Sequence, residues 1–442
     1  MIILGKQETL SDEMMNFTAD RKTMIFWGLS CLFFIAYGMN QIMDLLLFLI
    51  FIVVVFFIKE EYFIYISAGL LIFSDAVLLP EILNFSGVSL SRIFLIAFFL
   101  RLAVKMLKRE FSVKITWGRL SLLLIIFAYT TISFARSRNM DTLIGFLYMI
   151  VLIYIYDFIF RKKPEMLSRF IVAFSLFCIS SCIYSFLHMN EMQQVVSSYG
   201  GMEFERFSGT FEPNFMCLYY NFSIVGLLFL KFKYPIIKYG MLGLFYALMI
   251  MTMSITGVIA NIAVILLYLV FTKARFLKLT PFKIAAVTVS GLLVAGIAVI
   301  LFKDNVYQFY ERIYIVVKQT SVGHLNTATS GREGITKYYM SVFSNLNVTD
   351  RLFGNYVNWK RMFDSFKAAH NTYVDAIYMI GLIGSFFYAV TVGIMFANSL
   401  ISYVKDKREV NLMVCSQKLI VLISGLTLSF FNSRLFYLFI LF

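Results

Sequence analysis

LLLFLIFIVVVFFI, Leu45–Ile58, decides the class of this chain, because none of its fourteen side chains carries a polar group. Comparable runs of roughly 14 to 22 residues recur throughout, most of them long enough for a helix to cross a hydrocarbon layer about 30 Å thick. With 60% hydrophobic residues, 18% aromatic residues and a mean hydropathy of +0.81, the chain holds more apolar surface than one water-facing domain can bury. Most of that surface must face lipid or other membrane helices. The expected class is an all-α polytopic membrane protein.

Working outward from Leu45–Ile58, the pattern predicts spans at Met24–Met39, Tyr62–Leu79, Val88–Val104, Leu120–Ala135, Thr142–Phe160, Ser168–Leu187, Asn214–Leu230, Tyr239–Met253, Ile255–Phe271, Phe282–Phe302, Thr372–Tyr403 and from Leu419 onward. The total is about 12 to 13 transmembrane helices. No small-residue cleavage site follows the first span, which reads as an uncleaved anchor. Lys and Arg concentrate in segments 101–119, 161–169, 231–238, 272–283 and 405–418, alternating with loops such as PEILNFSGVS that have none, although a small outer loop with Arg136 and Arg138 breaks the pattern. The positive-inside rule makes the cation-rich segments cytoplasmic, so much of the net charge of +14 is topological and calls for no nucleic acid. The organisation expected is N-terminal transmembrane helices over 1–187, a first outer loop over 188–213, central transmembrane helices over 214–302, a large outer catalytic loop over 303–371, and C-terminal transmembrane helices over 372–442. The five cysteines lie in or beside apolar runs without metal-ligand spacing, and read as packing residues. No metal and no cofactor are expected.

Three stretches on the outer side carry residues that helix formation alone does not explain. In ERFSGTFEPNFMCLYY, residues 205–220, Pro213 suits a first helical turn and Gly209 a tight bend, so the loop returns to the membrane with Arg206 near its surface. Snorkelling to lipid phosphate is the simpler role for Arg206. In TSGREGITKYYMSVF, residues 329–343, Ser330 and Glu333 form a capping box, and a helix is expected from Ser330. Arg332 then sits in a first turn, where the helix dipole disfavours a cation, as though an anionic ligand held it there. In AAHNTYVDAIYMIGLIG, residues 368–384, Asn371 is a natural N-cap for the helix from Thr372, and Asp375 complements its dipole. His370 has no such explanation. It stands beside helical N–H groups able to bind a phosphate oxygen, although a packed, hydrogen-bonded ring is the alternative.

Taken in order, Arg206, Gly209, Pro213, Asn214, then Ser330, Gly331, Arg332, then His370, Asn371, Tyr373, Gly381 and Gly384 resemble the O-antigen ligase and O-antigen polymerase superfamily of bacterial membrane glycosyltransferases. The resemblance covers about Arg206 to Gly384. It implies a GT-C-like helical fold in the bacterial cytoplasmic (inner) membrane. It also implies a site at the outer face that takes a glycan from undecaprenyl pyrophosphate, with His370, Arg332 and Arg206 as catalytic residues. Asn214, Asn371 and Tyr373 would join the arginines in holding pyrophosphate or glycan. Many members carry a Ser-Arg pair after the ninth or tenth span; here MSITGVIAN, residues 253–261, has Thr256 instead, which leaves Arg312 or Arg351 as substitutes. The glycine-rich turn before the histidine is reduced to Gly354. Arginine suits this chemistry, since its permanently charged fork grips phosphate oxygens and can stabilise a departing pyrophosphate without a metal. His370 would contact the diphosphate or accept the proton of the attacking hydroxyl. The implied activity is polymerisation of lipid-linked oligosaccharide repeats for O-antigen, capsule or exopolysaccharide. Ligation to lipid A core or another surface acceptor is the alternative, and a lipid-linked-sugar flippase is a third reading from another class. Expected partners are the lipid-linked oligosaccharide, membrane lipids, a chain-length regulator and a flippase.

Overall fold

The computed structural model describes residues 2–5, 12–73, 89–110, 112–137, 140–187, 195–199, 202–207, 209–210, 212–276, 303–321, 332–355 and 370–428. It is mostly helical. In chain order the elements are β1 (Ile2–Gly5), α1 (Arg21–Ala36), α2 (Gln41–Phe57), α3 (Glu60–Phe73), α4 (Leu90–Leu107), β2 (Val113–Thr116), α5 (Trp117–Ser137) and α6 (Met140–Asp157). Then follow α7 (Met166–Leu187), β3 (Val195–Tyr199), β4 (Met202–Arg206), α8 (Pro213–Phe229), α9 (Pro235–Met251) and α10 (Ile255–Phe276). The last are α11 (Lys303–Ser321), α12 (Arg332–Ser344), α13 (Val348–Phe353), α14 (Thr372–Asp406) and α15 (Glu409–Ser424). The expected span Phe282–Phe302, the end of Tyr62–Leu79, and Ser330 with Gly331 lie outside the described residues.

The helix starts follow from local chemistry. Asp20 accepts a hydrogen bond from the Thr23 amide at 3.1 Å and Asn40 one from the Ile42 amide at 2.8 Å. Pro213 and Pro235 open α8 and α9, where a missing N–H costs nothing. Among the described residues three segments, Leu143–Lys162, Met166–Leu187 and Thr372–Asp406, are long and apolar enough to cross a membrane. The others include shorter apolar helices whose outward faces are themselves apolar: Leu46, Leu49, Ile50, Val53 and Phe57 of α2 are all exposed. Lipid tolerates such a face and water does not. Inside, α7 and α8 form the buried centre, with Phe174 packed edge-on to Phe222 at 5.0 Å between ring centroids.

Two small sheets depart from the all-helical expectation. β1 pairs in parallel with β2, Ile2 against Val113 through Gly5 against Thr116, and the buried Val113 and Ile115 alternate with their half-buried neighbours. β3 pairs antiparallel with β4, Val195 against Arg206 and Tyr199 against Met202, within the expected first outer loop. The C-terminal helix also starts earlier than Leu419. Lys418 belongs to α15 and is buried there because its ammonium finds the Met395 carbonyl at 3.0 Å and the Ser399 hydroxyl at 2.5 Å.

The bundle has two chemically distinct ends. At one, Lys105 pairs with Glu60, Lys163 with Glu61, and Arg161 grips Asp157 through two nitrogens at 2.7 and 2.8 Å. Arg161 also reaches the Ser112 carbonyl at 3.0 Å, Arg169 reaches the Thr18 carbonyl at 2.8 Å, and Lys231 lies 3.6 Å from Glu409. The N-terminal segment crosses this end, its Phe17 amide donating to Lys231 and the Lys231 amide to Met15, each at 2.9 Å. The cation-rich segments around 105–119, 161–169, 231–238 and 405–409 therefore gather together. Helices α3, α7, α8 and α15 carry the chain from there to the opposite end, where the candidate residues lie.

Candidate functional site

At the opposite end the loop before α8 is fixed at several points. The Thr210 hydroxyl donates to the Ile72 carbonyl at 2.5 Å, and the Tyr219 hydroxyl to Leu71 at 2.8 Å, tying the loop and α8 to the end of α3. Gly209 sits close against neighbouring side chains, whereas the sequence suggested a bend. A Cβ there would stand 2.7 Å from both the Ser181 hydroxyl and the Met216 methyl, and its φ is not positive. Arg206, at the end of β4, is buried. Its Nε–H donates to the Thr252 carbonyl at 2.9 Å and a terminal nitrogen to Asn214 Oδ1 at 2.7 Å. Asn214 in turn donates through its own amide to the Glu212 carboxylate. Snorkelling therefore does not describe Arg206, whose fork is turned inward.

The turn it grips, Thr252 to Ser254, joins α9 to α10 and puts Met253 at a left-handed φ of +51°. The Thr252 hydroxyl donates to Met249 at 2.7 Å and accepts from the Ser254 amide at 3.3 Å. Arg312, buried on α11, donates to the carbonyl of Met253, while Phe309 and Ile315 pack against that residue's side chain. Two guanidinium groups, one at the end of β4 and one on α11, thus hold consecutive carbonyls of one turn. Two residues past that turn is Thr256, where an arginine was expected, and Arg312 reaches the carbonyl three residues before it.

A second group lies at the same end, around the start of α14. Asn371 caps the helix as expected, accepting from the Tyr373 amide at 3.0 Å and the Val374 amide at 3.2 Å. His370, half-buried, precedes the cap at a left-handed φ of +51°. The Thr372 amide donates to Gly425 at 2.8 Å and the Tyr373 hydroxyl to Leu422 at 2.7 Å, which binds the mouth of α14 to the end of α15. Tyr373 therefore serves packing in this arrangement. Asp375 is buried. Helix α12, whose first residue is Arg332, docks on α14 through Tyr339 and Phe343, each with its ring centroid 5.4 Å from that of Tyr378. Burial, with the Asp375 charge behind it, pushes the Tyr339 hydroxyl above its ordinary pKa and keeps it neutral. Of Arg332 itself only the backbone position is described.

Arg351 sits half-buried on α13, which Asn347 caps by accepting from the Asp350 amide at 2.8 Å. That short helix ends at Gly354, φ +80°, directly against a break in α14 at Gly381, φ +70°. A Cβ on Gly354 would come 2.3 Å from the Met379 carbonyl oxygen, and one on Gly381 2.3 Å from that of Leu352. The break interrupts the helical ladder, and the Asn355 amide satisfies the Tyr378 carbonyl at 2.8 Å. The structure thus brings Arg206 and Arg312 onto one turn, with Asn214 held against Arg206, and His370, Asn371 and Tyr373 onto one helix mouth. Arg351 belongs to the glycine contact on the flank of α14. The sequence analysis missed Glu212 and the 252–254 turn as parts of the site; their signal was the short polar break between two apolar runs.

Among the described residues no group of three or more His, Cys, Asp or Glu side chains is arranged to hold a metal ion. No protein-family model matches the chain, and no match was found for it among the curated proteins or the solved structures.

Proposed function

We propose that this chain is a multi-pass inner-membrane glycosyltransferase that polymerises undecaprenyl-pyrophosphate-linked oligosaccharide repeats at the outer face. The observation that carries the reading is the convergence of Arg206 and Arg312 on the 252–254 turn, at the end of the bundle away from the gathered cations. On the positive-inside rule that end faces outward, where a lipid-linked donor would present its diphosphate. The ordered set of sequence motifs from Arg206 to Gly384 supports the same reading. In it the buried arginines concentrate positive charge where a pyrophosphate leaving group develops negative charge. His370, beside the capped start of α14, takes the acceptor proton or a diphosphate oxygen.

The test is reconstitution of the purified protein in vesicles with a lipid-linked repeat unit. Lengthening of the lipid-linked glycan supports the proposal. Transfer to a lipid A core acceptor without lengthening makes the protein a ligase. Movement of the lipid-linked sugar across the vesicle with neither reaction makes it a flippase. In cells, a deletion strain analysed on a polysaccharide gel should retain a single repeat on the lipid core.

A further inference from the structure

The cation-rich end holds a cavity that glycan chemistry at the other end does not use. It has a volume of about 230 Å³ and lies between α3, α4 and α6. Its walls are the rings of Phe63, Phe98 and Tyr154, and its polar groups are Arg101, Lys105 and Glu60. The cations are positioned by the fold. Arg101 lies with its guanidinium carbon 4.6 Å from the centroid of the Phe63 ring and donates to the Ile58 carbonyl, which occupies one of its five N–H groups. Lys105 sits 5.3 Å from the Tyr154 ring centroid and Lys162 approaches the same ring at 5.5 Å. Arg101 and Lys105 line the cavity and Lys162 stands just outside it; against them the lining sets one carboxylate, Glu60, already shared by Lys105 and the Tyr154 hydroxyl. The nearby Asp157 is gripped by the bidentate Arg161 and lies 3.9 Å from Lys162.

What lies beside the cavity narrows the occupant. The adjoining flank of α4 exposes Leu100 at 52%, Val104 at 49% and Leu107 at 85%, and the end of α2 exposes Phe57 at 84%. A soluble phosphate would use the cations and leave this surface uncovered; a lipid uses both. The surplus of cations favours an anionic headgroup over one that carries its own ammonium.

We propose that this cavity binds the phosphodiester headgroup of an anionic membrane lipid, with its acyl chains along the exposed flank of α4. The proposal requires that the protein sit in a membrane and is independent of the reaction at the other end. It is tested on delipidated, detergent-solubilised protein by native mass spectrometry, with dioleoyl phosphatidylglycerol, dioleoyl phosphatidylcholine and glycerol 3-phosphate as probes. One phosphatidylglycerol should be retained at lipid concentrations where phosphatidylcholine is not. Arg101→Gln should weaken retention roughly fivefold, and so should Lys162→Gln, whose 30%-exposed side chain makes it the safer variant for folding. Lys233→Gln, an exposed cation at the same end, should change nothing. Equal retention of the two lipids, unaltered binding in Lys162→Gln, or displacement by glycerol 3-phosphate at the same concentration would each overturn it, the last by making free phosphate the occupant.

Discussion

Replacing Gly381 by alanine tests the contact on which the middle of α14 depends. Its backbone, φ +70° and ψ −178°, occupies a region that side chains avoid, so alanine there costs about 1–3 kcal/mol in strain. The new Cβ would also stand 2.3 Å from the Leu352 carbonyl oxygen and 2.5 Å from the Gly354 nitrogen, both main-chain atoms that no rotamer change can move. Forcing α13 away from α14 adds about 1–3 kcal/mol, for a total loss of about 2–6 kcal/mol. Gly393→Ala, in the same helix, is the control. Nothing lies within 4 Å of its added Cβ, so it should be neutral or stabilising by about 0.4–1 kcal/mol. Unfolding free energies in mixed detergent micelles provide the comparison. A Gly381→Ala protein within about 0.5 kcal/mol of the parent, the range of an ordinary surface change, would refute the close backbone contact.

Asn371→Ala removes two capping hydrogen bonds and should lower stability by about 1 kcal/mol while much of the glycan lengthening survives. His370→Ala should do the reverse, leaving protein levels intact and abolishing product; long chains from that variant would remove His370 from the reaction. Arg206→Lys keeps the charge, yet one ammonium cannot span both the Thr252 carbonyl and Asn214, so polymer formation should fall sharply with protein still in the membrane. A tag inserted near Asn326 should react with an impermeant reagent from outside the cytoplasmic membrane, and one near Lys407 should not.

The helices were legible because long apolar runs admit few alternatives, and Asn371 was legible as a cap because its contacts lie two and three residues away. The β3–β4 hairpin had a local signal, the Gly200-Gly201 pair between two strand-like runs, which the hydropathy of the flanking spans overshadowed. The partners of Arg206 and Arg312 were not legible. Apart from Asn214, 8 residues from Arg206, they are main-chain carbonyls 46 and 59 residues distant in sequence, and a carbonyl carries no residue identity. The same holds for the contact between Gly354 and Gly381, two glycines that the sequence marks separately and the fold brings backbone to backbone. Lys418 misled for a related reason: its charge marked a loop edge, while its acceptors, Met395 and Ser399, come from a neighbouring helix.

The parallel pairing of β1 with β2 has a consequence for how the chain is threaded. Two strands that share hydrogen bonds must lie on one side of a bilayer, so the crossings between them must be even in number. Among the described residues four helices, α1 to α4, separate them. The Lys114–Asp157 contact encloses two, α5 and α6, and the Asn16–Lys231 bridge encloses eight. With all of these helices crossing, each closure comes out even; with α6 as the one crossing of its pair the Lys114–Asp157 closure would be odd, so α5 must cross with it. Should a single helix between β1 and β2 fail to insert, Ile2 and Val113 would be left on opposite faces. The small sheet therefore acts as a parity check on membrane insertion, forming only when an even number of passes has been completed.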